Sequence, residues 1–140
     1  MQSLGNDFVM LDSISTQLPL EPDIIRHLAD RHVGIGCDQV IVASPGNDSA
    51  DFFMRIFNAD GTEVGQCGNG ARCFARYLIE NGWTDKRHLV VQTSSAQLEL
   101  VLEDGGQVSV NMGTPLFEPA AVPFDSPTCE KDYVLHIGEE

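Results

Sequence analysis

Cys67-Gly68-Asn69-Gly70 is the stretch whose residue types and spacing could do chemistry. It stands just ahead of a run with helical periodicity, Ala71 to Asn81. There Ala71, Phe74, Ala75, Leu78 and Ile79 share a face, and Gly82 closes the run. Helix N-termini carry unpaired backbone N–H groups and a partial positive charge. A cysteine placed there has its thiolate form stabilised. Gly68 and Gly70 remove side-chain bulk, and the amides of Gly68 and Asn69 then suit a carboxylate or phosphate. One turn thus offers both a thiolate base and an anion cradle. The residues alone leave a second reading open, a glycine-rich loop around a buried cysteine. Cys73 lies farther into the helix, where the dipole has faded, and reads as core packing or as a thiol near enough to be oxidised onto Cys67. Arg72 and Arg76 are expected to point outward or to pair with acids.

The elements that must position this turn are mostly strands. Residues 6–12 read as a strand entered from Gly5. Pro22 opens a helix over roughly 22–32, with Ile24, Ile25, Leu28 and Ala29 at helical spacing and a basic end, Arg31-His32, before Gly34 and Gly36. Asp38 to Ala43 is a β-branched strand stopped by Ser-Pro-Gly-Asn-Asp. Residues 51–57 form another strand and 58–61 a turn. His88 to Thr93, Leu98 to Leu102 and Val108 to Met112 alternate as strands, the last two joined at Gly105-Gly106. Pro115, Pro119, Pro123 and Pro127 mark an extended connection, and Tyr133 to Ile137 reads as a last strand. The sum is an α+β domain, a mostly antiparallel sheet or barrel wrapped around one apolar central helix, plus a second helix.

Composition bounds the function. The chain has 140 residues, enough for one domain with a real core. Twenty-one acids against eight bases give a net charge of −13, so nucleic acid and anionic membrane surfaces are poor partners. No membrane-span or export pattern is visible, and the expected setting is the cytoplasm. Cys37, Cys67, Cys73 and Cys129 form neither CxxC pairs nor a set with HxxxH, so neither a disulfide scaffold nor a zinc site is expected. His27, His32, His88 and His136 carry no motif and read as structural or surface residues.

Five ordered blocks bear a likeness: Leu4-Gly-Asn-Asp-Phe8, Arg31-His-Val-Gly-Ile-Gly-Cys-Asp-Gln39, Arg55-Ile-Phe-Asn-Ala-Asp-Gly61, Gln66-Cys-Gly-Asn-Gly-Ala-Arg-Cys-Phe-Ala75 and Val110-Asn-Met-Gly113. Together they closely resemble diaminopimelate epimerase, over essentially the whole chain. Proline racemase and the phenazine-type isomerases share that fold, but the Gly-Asn-Asp-Phe and Asn-Ala-Asp-Gly blocks look like those of the epimerase. The resemblance implies cofactor-independent interconversion of LL- and meso-diaminopimelate, in lysine and peptidoglycan-precursor biosynthesis. One cysteine thiolate takes the α-proton while another, on the opposite face, delivers one. Residue by residue it implies Cys67 as a catalytic cysteine, Asn6, Gln39 and Asn58 as substrate-binding, and Gly68 and Asn69 as the amides that hold the α-carboxylate. Asn6 and Asn58 also suit turn or cap chemistry, and Gln39 an ordinary strand position.

The departures from the family shape the expected partners. A family member is nearly twice as long and has two similar halves with the site between them. Residues 1–140 correspond to the N-terminal half, and neither Cys37 nor Cys129 has a second Cys-Gly context. The strand that precedes the Gly-Asn-Asp-Phe block is reduced to Met1-Gln2-Ser3, which would leave a sheet edge exposed. The expected partner besides the small-molecule substrate is therefore a C-terminal half, or a second copy mimicking it. A function of another class, a non-catalytic anion or amino-acid binding module, uses the same loop.

Overall fold

The computed structural model describes residues 1–122, 124, 126, 128 and 130–134. Its strands are β1 (Gln2–Ser3), β2 (Asn6–Asp12), β3 (Gln39–Asn47), β4 (Ala50–Asn58), β5 (Glu63–Val64), β6 (His88–Gln92), β7 (Gln97–Leu102) and β8 (Val108–Asn111). The helices are α1 (Pro22–Ala29) and α2 (Gly68–Glu80). The sheet runs β1-β2-β3-β4-β6-β7-β8, with β5 added beside β4. Two pairings, β2 with β3 and β4 with β6, are parallel; the others are antiparallel.

Strand parity explains the layers. Val9, Val40, Val42 and Phe57 face α1 and pack with its Ile25 and Ala29. Their neighbours Phe8, Ile41, Ala43, Met54 and Ile56 point to the other face, where the sheet curls around α2 with Leu89, Val91, Leu98, Leu100 and Val108. Strands covered on both faces need apolar residues at consecutive positions, and Val40 to Ala43 are all fully buried. α2 sends Ala71, Cys73, Phe74, Ala75 and Leu78 into this core. The expected sheet wrapped around an apolar helix is thus the observed one.

Several boundaries differ from the sequence expectation. α1 stops at Ala29 instead of continuing to residue 32, because the Asp30 carboxylate accepts from the N–H groups of His32 and Val33. Such local bonds compete with the helix. β3 runs on through Ser44 and Pro45 to Asn47, and the turn follows at residues 48–49, where Asn47 Oδ1 accepts from Ser49 N and Ala50 N. Gly46 is required there: a Cβ on it would stand 1.9 Å from the Ala50 carbonyl oxygen. α2 starts at Gly68, three residues before Ala71. The Gly105-Gly106 hairpin joins β7 to β8 as expected. Tyr133 and Val134 are not in a strand, and the rest of the expected last strand, with His136, lies outside the described residues, as do Pro123, Pro127 and Cys129. β1 covers only two positions of β2, Asn6 and Asp7. Among the described residues no helix is long and apolar enough to cross a membrane.

Candidate active site at the start of the central helix

Topology gathers the candidate residues at one end of the sheet. β2 and β3 are parallel and begin there, at Asn6 and Gln39. β4 runs the other way and ends there, at Asn58, directly opposite Gln39. A turn closed by Asn58 N to Thr62 O at 2.9 Å returns the chain, and β5 pairs Val64 with Ile56. Arg55 grips this return: its Nε and Nη2 donate to the two Glu63 oxygens at 3.0 and 2.7 Å. Three residues after β5 the chain reaches Cys67.

Cys67 is the N-cap of α2, in extended backbone conformation, and its Sγ accepts from Gly70 N at 3.2 Å. The sulfur thus takes the part that a Ser or Asp oxygen plays at most helix starts. It is half-buried, whereas Cys37 and Cys73 are 3% and 4% exposed. Burial pushes the thiols of both Cys37 and Cys73 up. All three of these cysteines are free. Cys73 is core packing, as its depth in α2 led one to expect. A Cβ at Gly70 would sit 2.5 Å from Ile41 Cδ1 and 3.2 Å from Cys67 Sγ, so any side chain there would have to push the buried tip of Ile41 and the sulfur aside. At Gly68 a Cβ would meet Met112 Sδ at an ordinary 3.5 Å, so the helix start is lightly covered on that side.

The carboxamides form two separate hydrogen-bonded pairs, one of them on this turn. Asn69 Nδ2 donates to Asn6 Oδ1 at 2.8 Å, tying the helix start to the start of β2. Gln39 Nε2 donates to Asn58 Oδ1 at 2.9 Å, and Asn58 Nδ2 to Thr62 Oγ1 at 3.3 Å. Gln39 and Asn58 are half-buried and bonded to one another. His27, His32 and His88 are exposed.

Sequence reasoning missed the charged frame behind these amides. Arg31 Nη1 and Nη2 donate to the two Asp7 oxygens, both at 2.8 Å, and Nη2 also reaches Asp38 Oδ1 at 2.9 Å. Asp38 Oδ2 accepts from Asp7 N at 3.0 Å and from Asn6 Nδ2 at 3.3 Å. Arg31, read as part of a basic helix end, therefore belongs instead to a clamp on the two strand starts. The signal available was that Asp7 and Asp38 flank Asn6 and Gln39 in the chain. Arg76 pairs with Glu80, as expected, but Arg72 Nη1 donates to an amide oxygen, Asn69 Oδ1, at 2.7 Å. Among the described residues no group of three or more His, Cys, Asp or Glu could hold a metal ion.

The clamp makes a pH prediction. The hydrogen bond from Arg31 holds the Asp7 carboxyl well below the usual carboxylate range. A group whose pKa is lower folded than unfolded stabilises the fold above its unfolded pKa of about 4, and loses that contribution as pH falls below it. Asp7→Asn should therefore be less stable than the native chain at neutral pH, and the gap should close as the pH drops below about 4. Urea midpoints across that range check this; a gap that widens in acid contradicts it.

The diaminopimelate epimerase family model matches residues 1–118. The chain belongs to this family. Among solved structures, a phenazine biosynthesis protein of the PhzF family from Bacillus anthracis is similar at a TM-score of 0.58 and 23% identity, covering 79% of this chain and 35% of its own. A methylitaconate-delta-isomerase is similar at 0.58 and 14% identity, over 76% and 34% of the two chains. A protein from Pseudomonas aeruginosa described as a predicted epimerase gives 0.53 and 21%, over 76% and 36%. At these identities the likeness speaks for the shared fold, a curled sheet with two helices. The chain spans about a third of the length of each. The family is named for an epimerase, which is an isomerase by class of chemistry.

Proposed function

We propose that this chain is the N-terminal half of a diaminopimelate epimerase and carries one of its two acid–base cysteines. The observation that carries the reading is Cys67 Sγ at the N-cap of α2, beside the amides of Gly68 and Asn69 and at the sheet end that gathers Asn6, Gln39 and Asn58. An α-carboxylate placed at the helix start meets fixed N–H donors and the positive end of the dipole. Removing the α-proton leaves an electron pair that spreads onto that carboxylate, so the same donors stabilise the charge that develops. The Cys67 thiolate takes the proton: the C–H bond breaks and an S–H bond forms. Inversion then needs a second thiol on the opposite face to give its proton to the α-carbon. Cys37 and Cys73 are buried and do not serve.

The second thiol is proposed to come from a C-terminal half or from a second copy of the chain. Leu4, Val33 and Ile35 are 84%, 69% and 67% exposed and lie within a few residues of Asn6 and Asp38, which supports a covering body over this end. The chemistry needs no cofactor, and the substrate's place in lysine biosynthesis makes a cytoplasmic setting the natural one. In deuterated water the isolated chain should bind diaminopimelate and exchange its α-hydrogen slowly and without inversion. Turnover matching a complete two-thiol site would overturn the need for a second body. Absence of any binding at millimolar diaminopimelate would overturn the substrate.

A further inference from the structure

Four side chains form one hydrogen-bonded line across the site. Arg72 Nη1 donates to Asn69 Oδ1 at 2.7 Å, Asn69 Nδ2 to Asn6 Oδ1 at 2.8 Å, and Asn6 Nδ2 to Asp38 Oδ2 at 3.3 Å. The direction of this line is not free. A guanidinium only donates and a carboxylate only accepts. Between two such ends, a pair of carboxamides has one arrangement that leaves no clash. Turning either amide around sets N–H against N–H on one side and oxygen against oxygen on the other. The accepting end is anchored, because Asp38 is also held by Arg31 and by Asp7 N. The donating end is Arg72 alone. In an acidic chain that guanidinium is half-buried and, among the described residues, has no carboxylate partner, unlike Arg76 with Glu80.

We propose that Arg72 is a positioning residue: acting through Asn69, it holds the acceptor side of the Asn6 carboxamide, whose donor side Asp38 holds, and so keeps in place the hydrogen-bonding groups that Asn6 offers a ligand. A carboxamide has two N–H donors and two acceptor lone pairs. The line uses one of each on Asn6, leaving one donor and one lone pair at assigned ends. That remainder matches an α-amino acid, whose carboxylate accepts and whose ammonium donates. Without Arg72 the Asn69 amide can turn and stop donating to Asn6 Oδ1, and Asn6 is then held from one side alone, by its 3.3 Å bond to Asp38. The inference rests on the reading that Asn6 meets the substrate, and its first test is independent of that reading.

The side-chain amide signals of Asn6 and Asn69 in the nitrogen-15-labelled full chain read the line directly. Arg72→Met keeps the apolar stem and removes the donor. It should move both sets of Nδ2 signals toward those of a free carboxamide and speed their exchange with water. The backbone signals of β3 and β4 should stay in place and report a folded protein. Arg72→Lys restores a donor and should bring Asn6 at least half of the way back. Unmoved Asn6 signals in Arg72→Met overturn the proposal, and so does a lysine variant indistinguishable from methionine. In a titration with 2,6-diaminopimelate, Arg72→Met should bind about tenfold more weakly than the native chain, roughly the loss of one hydrogen bond. Equal affinity overturns the link from Arg72 to the ligand. If the native chain itself binds no diaminopimelate, the substrate reading fails, and the amide signals alone decide the positioning role.

Discussion

Phe74→Ala should lower the free energy of unfolding by about 3–5 kcal/mol. Phe74 is fully buried and sits on α2 where the sheet curls around it, in one cluster with Ile41, Met54, Ile56, Leu89, Leu98 and Leu100. Two terms add. The ring's transfer out of water is lost, and a cavity is left that the neighbours close only in part. Closure is hindered because the lining comes from four different strands whose spacing is set by backbone hydrogen bonds. A small domain has about 5–15 kcal/mol in all, so this one change removes roughly a fifth of it or more. Urea unfolding checks it through the midpoint. Phe74→Leu, which keeps much of the volume, should cost distinctly less. Arg76→Ala on the outer side of the same helix breaks an exposed pair with Glu80 and an exposed 3.3 Å bond to the Gly106 carbonyl oxygen, and should shift stability by about 1 kcal/mol or less. A Phe74→Ala midpoint close to that of Arg76→Ala would show that the ring is not the centre of the core.

The sequence states this core plainly and the site only in part. Apolar residues at consecutive positions from Val40 to Ala43, and small and apolar residues around α2, leave a sheet wrapped on a helix as the consistent packing. The parallel pairing of β2 with β3 is not in any local pattern, because it depends on how the segment carrying α1 crosses between them. Helix ends were misread where a polar side chain intervened. Asp30 ended α1 early by bonding the next amides, and Cys67 began α2 early by accepting from Gly70 N. A capping sulfur has no strong statistical signature, so periodicity started the helix at the first apolar residue. The site residues Asn6, Gln39 and Asn58 came from resemblance, since nothing in their spacing brings them together; the strand directions do that. The frame of Asp7, Arg31 and Asp38 was invisible for a related reason. Charged residues scattered over loops look like a solvated surface until the fold sets Arg31 2.8 Å from Asp7.

Cys67→Ala should reduce α-proton exchange of diaminopimelate by about 10²–10⁴-fold in the proposed two-thiol assembly, the usual contribution of a positioned acid–base group. Thiol labelling tests the same claim without turnover. Brief exposure of the folded chain to iodoacetamide at neutral pH should modify Cys67 well before Cys37 or Cys73. Access favours Cys67, since the other two are 3% and 4% exposed. Burial also pushes the Cys37 and Cys73 thiols up, whereas Cys67 Sγ stands at the helix start and accepts from Gly70 N. Diaminopimelate should slow the labelling of Cys67 alone, because its carboxylate would sit on the amides beside the sulfur. Cys67→Ser separates base from cap: the hydroxyl can still accept from Gly70 N, so the helix should start where it does now, yet at neutral pH it is a far weaker base. A serine variant that folds like the native chain and loses exchange as fully as Cys67→Ala places the chemistry on the thiolate. If Cys67 is labelled no faster than Cys73, the sulfur is only a cap, and the reading of this turn as an acid–base site falls with it.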